Sequence, residues 1–181
     1  MQYDGIILSG FPVSGKSTLA KRLSGIYQWP VYSVSKAFRD AWQQKYPDGK
    51  VTFEEYWRNE ITFEQNMDVN VIAHGVFEKG KVIGETRYTY AFRDLPLLFV
   101  FLAADLDVRA ERGSKERYKG NTPEEVKRIL LQRESDELVT GFKLFGDDYD
   151  WRKPQHYHLT LNSGMLTMEQ EIEIVRSAMN I

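Results

Sequence analysis

The chain has 181 residues, 42% of them hydrophobic and 28% charged, with a formal net charge of −2; that suffices for one domain with a sizeable core and is short for two. So balanced a charge gives no global reason to expect nucleic acid or an anionic membrane as partner. The absence of cysteine excludes disulfides and thiolate metal sites, and three scattered histidines (His74, His156 and His158) make no convincing metal centre.

In chain order, "YDGIILS" (3–9) is apolar and β-branched and ends at glycine, which predicts a buried parallel strand. "SGKSTLAKRLSGIY" follows as a helix with Leu19, Ala20 and Leu23 on one face. "WPVYSV" reads as a second strand, and "SKAFRDAWQQKY" as a helix with Ala37, Phe38 and Ala41 facing inward and "PDG" ending it. The spacing of Phe53, Tyr56, Trp57, Ile61, Phe63, Met67, Val71 and Ile72 predicts one or two helices between Thr52 and about Lys79.

"KVIGE" (81–85) and "LLFVFLA" (97–103) are further strands; the apolar run around the latter is too short to cross a bilayer. "DLDVRAERGSKERYKG" starts a helix that becomes strongly basic. Thr122, Pro123 and Glu125 open the next helix with a capping box. "YHLTLNS" is a fifth strand, with His156 and His158 alternating on it, and "LTMEQEIEIVRSAM" a closing amphipathic helix. The alternation predicts an α/β fold, a parallel five-stranded sheet flanked by helices in three layers, over one domain of residues 1–181. The N-terminus lacks a basic region followed by a long apolar run, so a cytoplasmic protein is expected.

"GFPVSGKST" (10–18) fits the phosphate-cradling pattern G-x-x-x-x-G-K-[ST], with Gly10, Gly15, Lys16 and Ser17 in the fixed places. Glycines let the backbone N–H groups of Val13, Ser14, Gly15 and Thr18 converge on phosphates. Lys16 would reach the outer phosphates and Ser17 would ligate magnesium. At about 7% glycine such a match arises by accident in roughly one chain in a hundred, and the strand and helix around it reduce that further. ATP and Mg2+ are the expected cofactors.

Asp-x-x-Gly and Asn-Lys-x-Asp, which a switch GTPase would need, do not occur, and "LLFVFLAAD" puts two alanines where a motor ATPase would usually end its strand in aspartate. Glu85, at the end of "KVIGE", is the carboxylate best placed near magnesium. Phosphoryl transfer between anionic substrates needs cations on both sides. Arg39, Arg87 and Arg133 are separate in sequence and expected to converge at the strand ends. Arg109, Arg112, Lys115, Arg117 and Lys119 form the densest basic segment; between Gly113 and Gly120 it suits a lid at about 112–121. A solvated helix face is the plainer reading of that segment.

With these residues in view the chain resembles the cytidylate kinase-like family of P-loop nucleoside monophosphate kinases, notably its short archaeal-type members. The likeness spans the loop, "YSVSKAFRD", "VIGETRY", "FLAADLDVRAER", "LLQRESDEL", the later "FG" and "YHLTLNSGMLTMEQ". It implies a small helical acceptor-binding region at about 36–80, with Arg39, Arg87, Lys36 and Ser33 at the acceptor. It implies Arg112, Lys115 and Arg117 near the donor, and Arg133 and Glu137 with Lys16 at the transferring phosphate. No general base is required, because the acceptor oxygen is already ionised.

Three positions depart from the family's pattern: Thr140 stands where it usually has arginine, Lys36 where it often has aspartate, and Thr86 where it has glycine. The leading expectation is a kinase acting on a pyrimidine nucleotide, CMP or dCMP, as a monomer. A kinase of a nucleoside or other metabolite, and a nucleotide-binding regulatory protein with degraded catalysis, stand as alternatives.

Overall fold

The apolar segments pair as one parallel sheet. In this computed structural model, which describes residues 3–146 and 149–180 apart from the Phe63 side chain, the strands are β1 (Gly5–Gly10), β2 (Val31–Ser33), β3 (Ile83–Glu85), β4 (Leu97–Ala103) and β5 (Leu159–Asn162). Their order across the sheet is β2-β3-β1-β4-β5. All five fall on the expected segments, and β4 coincides with residues 97–103.

β1 is buried along its whole length, with Ile6 opposite Ile83 on one side and Leu98 on the other. Its sequence is continuously apolar because both sheet faces are covered. On one face Ile6, Leu8, Val100 and Leu102 pack with Leu19 and Leu23 of α1 (Lys16–Tyr27) and Val175 of α7 (Met168–Met179). On the other, Ile7, Leu97 and Phe99 meet Phe38 of α2 (Val34–Lys45) and Ala73 and Phe77 of α4 (Phe63–Phe77). These are the three layers the alternation predicts. α3 (Phe53–Glu60), α5 (Leu106–Lys115) and α6 (Pro123–Phe145) complete the order, and Thr122, Pro123 and Glu125 form the expected start of α6. No described helix is long and apolar enough to cross a membrane.

Some inward faces differ from expectation. Ala37 and Ala41 are exposed, and α2 buries Val34 along with the expected Phe38. The helix starts at Val34, one residue early, and a methyl group marks a buried face poorly. In α4 the apolar residues that signal the helix are largely outside: Met67, Val71 and Ile72 are 36%, 66% and 60% exposed. The inward stripe is Asn66, Asn70, Ala73 and Phe77, at helical spacing, because half of it borders a cavity rather than packed core. His156 belongs to a 3-10 turn (Pro154–His156) and His158 lies just ahead of β5, so neither is on the strand. Gly113 lies within α5 and packs on α6: a Cβ there would sit 2.9 Å from Val126 Cγ1.

At the end of β1 the chain passes so close to β4 that a Cβ on Gly10 would lie 2.2 Å from the Leu102 carbonyl oxygen, at a φ of +137°. Gly10→Ala is therefore expected to cost about 3 kcal/mol or more of unfolding free energy, read by urea denaturation.

Candidate active site

The loop between β1 and α1 is held in a strained shape by its surroundings. Gly15, the N-cap of α1, has a φ of 96°, which only glycine adopts freely. Val13 has a φ of 61°, a costly conformation for a β-branched residue. Its side chain is pinned among Leu106 and Ala110 of α5, Tyr118, and Val126 and Leu130 of α6. Ser163, just after β5, donates from Oγ to Ser14 O at 2.7 Å. Arg109 is buried beneath the loop: it donates to Ala104 O (2.9 Å) and Pro12 O (3.3 Å), pairs with Glu134 at 2.6 Å, and its guanidinium lies 4.7 Å from the Phe11 ring centroid. The first arginine of the basic segment thus serves the loop's architecture.

The loop opens into a cavity of about 510 Å³ beyond the carboxyl ends of β1 and β3. These neighbours are where the chain order reverses, the place where open α/β sheets bind ligands. Val13, Ser14, Gly15, Lys16, Ser17 and Thr18 line its middle. Val34, Ser35, Phe38, Phe53, Trp57, Asn66 and Asn70 from α2, α3 and α4 line one end. Arg112, Ser163, Leu166, Met168 and Glu171 line the other.

Cations surround the middle. Lys16 Nζ donates to Gly10 O at 2.8 Å and Phe11 O at 2.6 Å. Glu137 holds two arginines: Arg87 Nε approaches its Oε2 to 2.5 Å and Arg133 Nε donates to its Oε1 at 2.8 Å. Arg133 Nη1 is buried without a partner among the described residues. Burial drives the Lys16 ammonium well below its usual pKa, and Arg87 and Arg133 add to this against Glu137. Burial likewise works against the charges of Arg87 and Arg117, with Arg133 adding to it. For Arg133 burial has the same sense, but Glu137 overcomes it and raises the pKa. Carboxylates are outnumbered here, Glu54, Glu85 and Glu137 against Lys16, Arg87, Arg117 and Arg133, a balance that an anionic ligand would relieve.

At the loop's outer edge Ser17 Oγ donates to Glu85 Oε2 at 2.7 Å. The two oxygens are adjacent although 68 residues apart in sequence, and an all-oxygen pair is the donor chemistry magnesium prefers.

The sequence-predicted residues thus divide. Lys16, Ser17, Glu85, Arg87, Arg112, Arg117, Arg133 and Glu137 all border the cavity. Arg112 Nη2 donates to Ser163 O at 2.7 Å. Arg39 lies just behind the wall, its guanidinium 5.4 Å from the Phe53 ring centroid, and its Nε is buried without a partner among the described residues. Burial and the nearby Arg117, Arg133 and Arg87 push its pKa down to about 10. Lys36 is 69% exposed and paired with Asp40, Lys115 is 74% exposed beside Glu111, and neither borders the cavity. Nor does Ser33, whose hydroxyl meets that of Ser35 at 3.3 Å.

Sequence reasoning missed Ser35, Asn66, Asn70, Tyr88, Ser163 and Glu171, all on the cavity wall. The asparagines carried one signal: two polar residues at i and i+4 on the face that continues to Ala73 and Phe77. Each amide is tied to its own helix, Asn66 Nδ2 to Thr62 O (3.1 Å) and Asn70 Nδ2 to Asn66 O (2.9 Å).

Comparison with known proteins agrees with this architecture. A gluconokinase from Sinorhizobium meliloti (15% identity, TM-score 0.58, 99% of this chain and 97% of that one) and a shikimate kinase from Bacteroides thetaiotaomicron (13%, 0.60, 98% of each) share the fold. So does a protein of unassigned function from Eubacterium ventriosum (15%, 0.69, 97% and 98%). In sequence the chain is 28% identical over 190 residues to a cytidylate kinase from Methanopyrus kandleri, covering 97% of this chain and 92% of that protein. The sequence profile of the cytidylate kinase-like family matches residues 6–165. The chain belongs to the cytidylate kinase-like family.

Proposed function

We propose that the protein transfers the γ-phosphate of ATP to a pyrimidine nucleoside monophosphate, CMP or dCMP. The observation that carries this reading is the ring of Lys16, Arg87, Arg117 and Arg133 around one cavity whose two ends are built differently. Transfer between two anions is mostly positioning and charge neutralisation. Lys16 would neutralise the moving phosphoryl group, Arg87 would hold the acceptor's phosphate with the charge of Arg39 behind the wall in support, and Arg133, oriented by Glu137, would stand between the two. Arg117, after α5, would close over the phosphates from a lid at 112–121. The acceptor's phosphate oxygen is the nucleophile and already ionised, so the site needs no base. Ser17 and Glu85 would hold a magnesium ion, which supplies further neutralisation when bound.

The acceptor end, at about 36–80, favours a flat base. Phe38 and Trp57 meet edge to face with centroids 4.8 Å apart, and Phe53 lies beside them. A wall of aromatic rings with two asparagines suits a pyrimidine better than a small polyhydroxy acid. A coupled assay with ATP and magnesium, run across the nucleoside monophosphates and with shikimate and gluconate, tests the reading. Turnover with CMP or dCMP above all others is expected; turnover with none of the monophosphates would defeat it.

Thr140 bears on the alternative of degraded catalysis. Its Oγ1 donates to Asp136 O at 2.9 Å, and with Lys143 it lines a neighbouring cavity of about 380 Å³. Neither residue borders the main cavity. We expect Thr140→Arg to change kcat by less than about threefold. A rise of about tenfold or more would show that a missing cation limits the reaction.

A further inference from the structure

The cavity end remote from the asparagines contains an unexplained carboxyl. Glu171, in the first turn of α7, is 2% exposed. Its Oε2 is buried with no hydrogen-bond partner among the described residues. An unpartnered buried polar atom is costly, and capping does not account for it: Thr167 and Gln170 already form the box that starts α7. Leu166 and Met168 share the wall with it, as does Arg112 across from them. Burial raises the carboxyl above its usual pKa, against the pull of Arg112. Its acid form, with one donor and one acceptor, is thereby favoured relative to an exposed glutamate.

We infer that Glu171 hydrogen-bonds the base of the donor nucleotide and is a specificity-determining residue for the donor. The inference rests on the kinase reading above, in which the triphosphate lies over residues 13–18 and the aromatic end takes the acceptor. The donor's nucleoside then extends to the end formed by α5, the segment after β5 and α7. Leu166 and Met168 offer apolar contact for a flat ring, and Glu171 offers the polar edge. Adenine presents an amine donor (N6) beside a ring acceptor (N1), the pair that a carboxylic acid or an amide side chain matches with two hydrogen bonds.

Steady-state kinetics of the full chain, with ATP as donor and CMP as acceptor, test this. Glu171→Leu is expected to raise the KM for ATP at least about tenfold while leaving the KM for CMP unchanged. Glu171→Gln keeps one donor and one acceptor and should stay within about threefold of the parent. Inorganic tripolyphosphate, which carries the phosphates without a base, should inhibit all three proteins equally. An unchanged ATP KM in the leucine variant overturns the inference. So does a glutamine variant as weak as the leucine one, or a parallel loss of tripolyphosphate affinity, which indicates a distorted loop. Should the leucine variant not fold, Glu171→Ala makes the same comparison. If the parent protein phosphorylates no monophosphate, the kinase reading has failed by itself. The inference is then decided by whether Glu171→Leu abolishes the melting-temperature shift given by magnesium ATP but not that given by tripolyphosphate.

Discussion

Lys16→Met lowers kcat by at least about a thousandfold, on the scale of losing a key charge-stabilising group in phosphoryl transfer, and leaves the protein folded. The lysine is half-buried near Arg87 and Arg133, and desolvation makes its charge unfavourable in the free protein. Its contacts are with the loop itself, Gly10 O and Phe11 O, and Phe11 O also accepts from the Ser14 N–H at 3.2 Å. Methionine has nearly the same length and removes a desolvated cation, so the thermal midpoint should not fall. The chemistry depends on what the ammonium meets when substrate is present: charge moving between two phosphates, with no neutral side chain able to offset it. Product chromatography gives kcat and a thermal melt gives the fold. Activity within about tenfold of the parent would remove Lys16 from the transferring phosphate.

Glu137→Ala destabilises the free protein by about 3–5 kcal/mol, the cost of leaving buried charge without its partner. Glu137 is 5% exposed and is the carboxylate shared by Arg87 and Arg133. Its removal leaves both guanidiniums facing Lys16 with no counter-ion at the same place. Inorganic phosphate should consequently stabilise the variant more than the parent, because an anion bound only by the folded state shifts the equilibrium by mass action. Glu137→Gln, which keeps the shape and one acceptor, should lose less. Urea denaturation with and without phosphate measures both effects. Unchanged stability in Glu137→Ala would mean that the arginines find other partners, contrary to the geometry described.

The parts legible in the sequence are those that elementary periodicity and turn chemistry control. A run of apolar residues ending in glycine predicts β1, and Thr122, Pro123 and Glu125 predict the start of α6. The glycine pattern predicts the loop, and the scattered Arg87 and Arg133 do meet through Glu137. What stayed hidden depends on which side of an element faces a cavity. In α4 an apolar stripe announces a helix, yet Asn66 and Asn70 turn inward while Val71 and Ile72 face solvent. A cavity wall thus inverts the pattern that a packed core would impose.

Arg109 misleads in another way. Three residues from Arg112 in a basic run, it is buried against Glu134 and the loop backbone, because a charge count carries no information about a partner 25 residues away. The strained backbone of Val13, a residue of the expected loop, and the isolation of Glu171 gave no signal: neither a positive φ nor an unpartnered carboxyl has a sequence signature.

In the proposed reaction one cavity brings the phosphates of two nucleotides together. The most direct measurement is 31P NMR of the protein mixed with magnesium, ATP and CMP or dCMP. The expected result is loss of the ATP γ resonance with equal gain of ADP and of CDP or dCDP. ATP that persists unchanged, or that yields ADP and inorganic phosphate without a pyrimidine diphosphate, would contradict it.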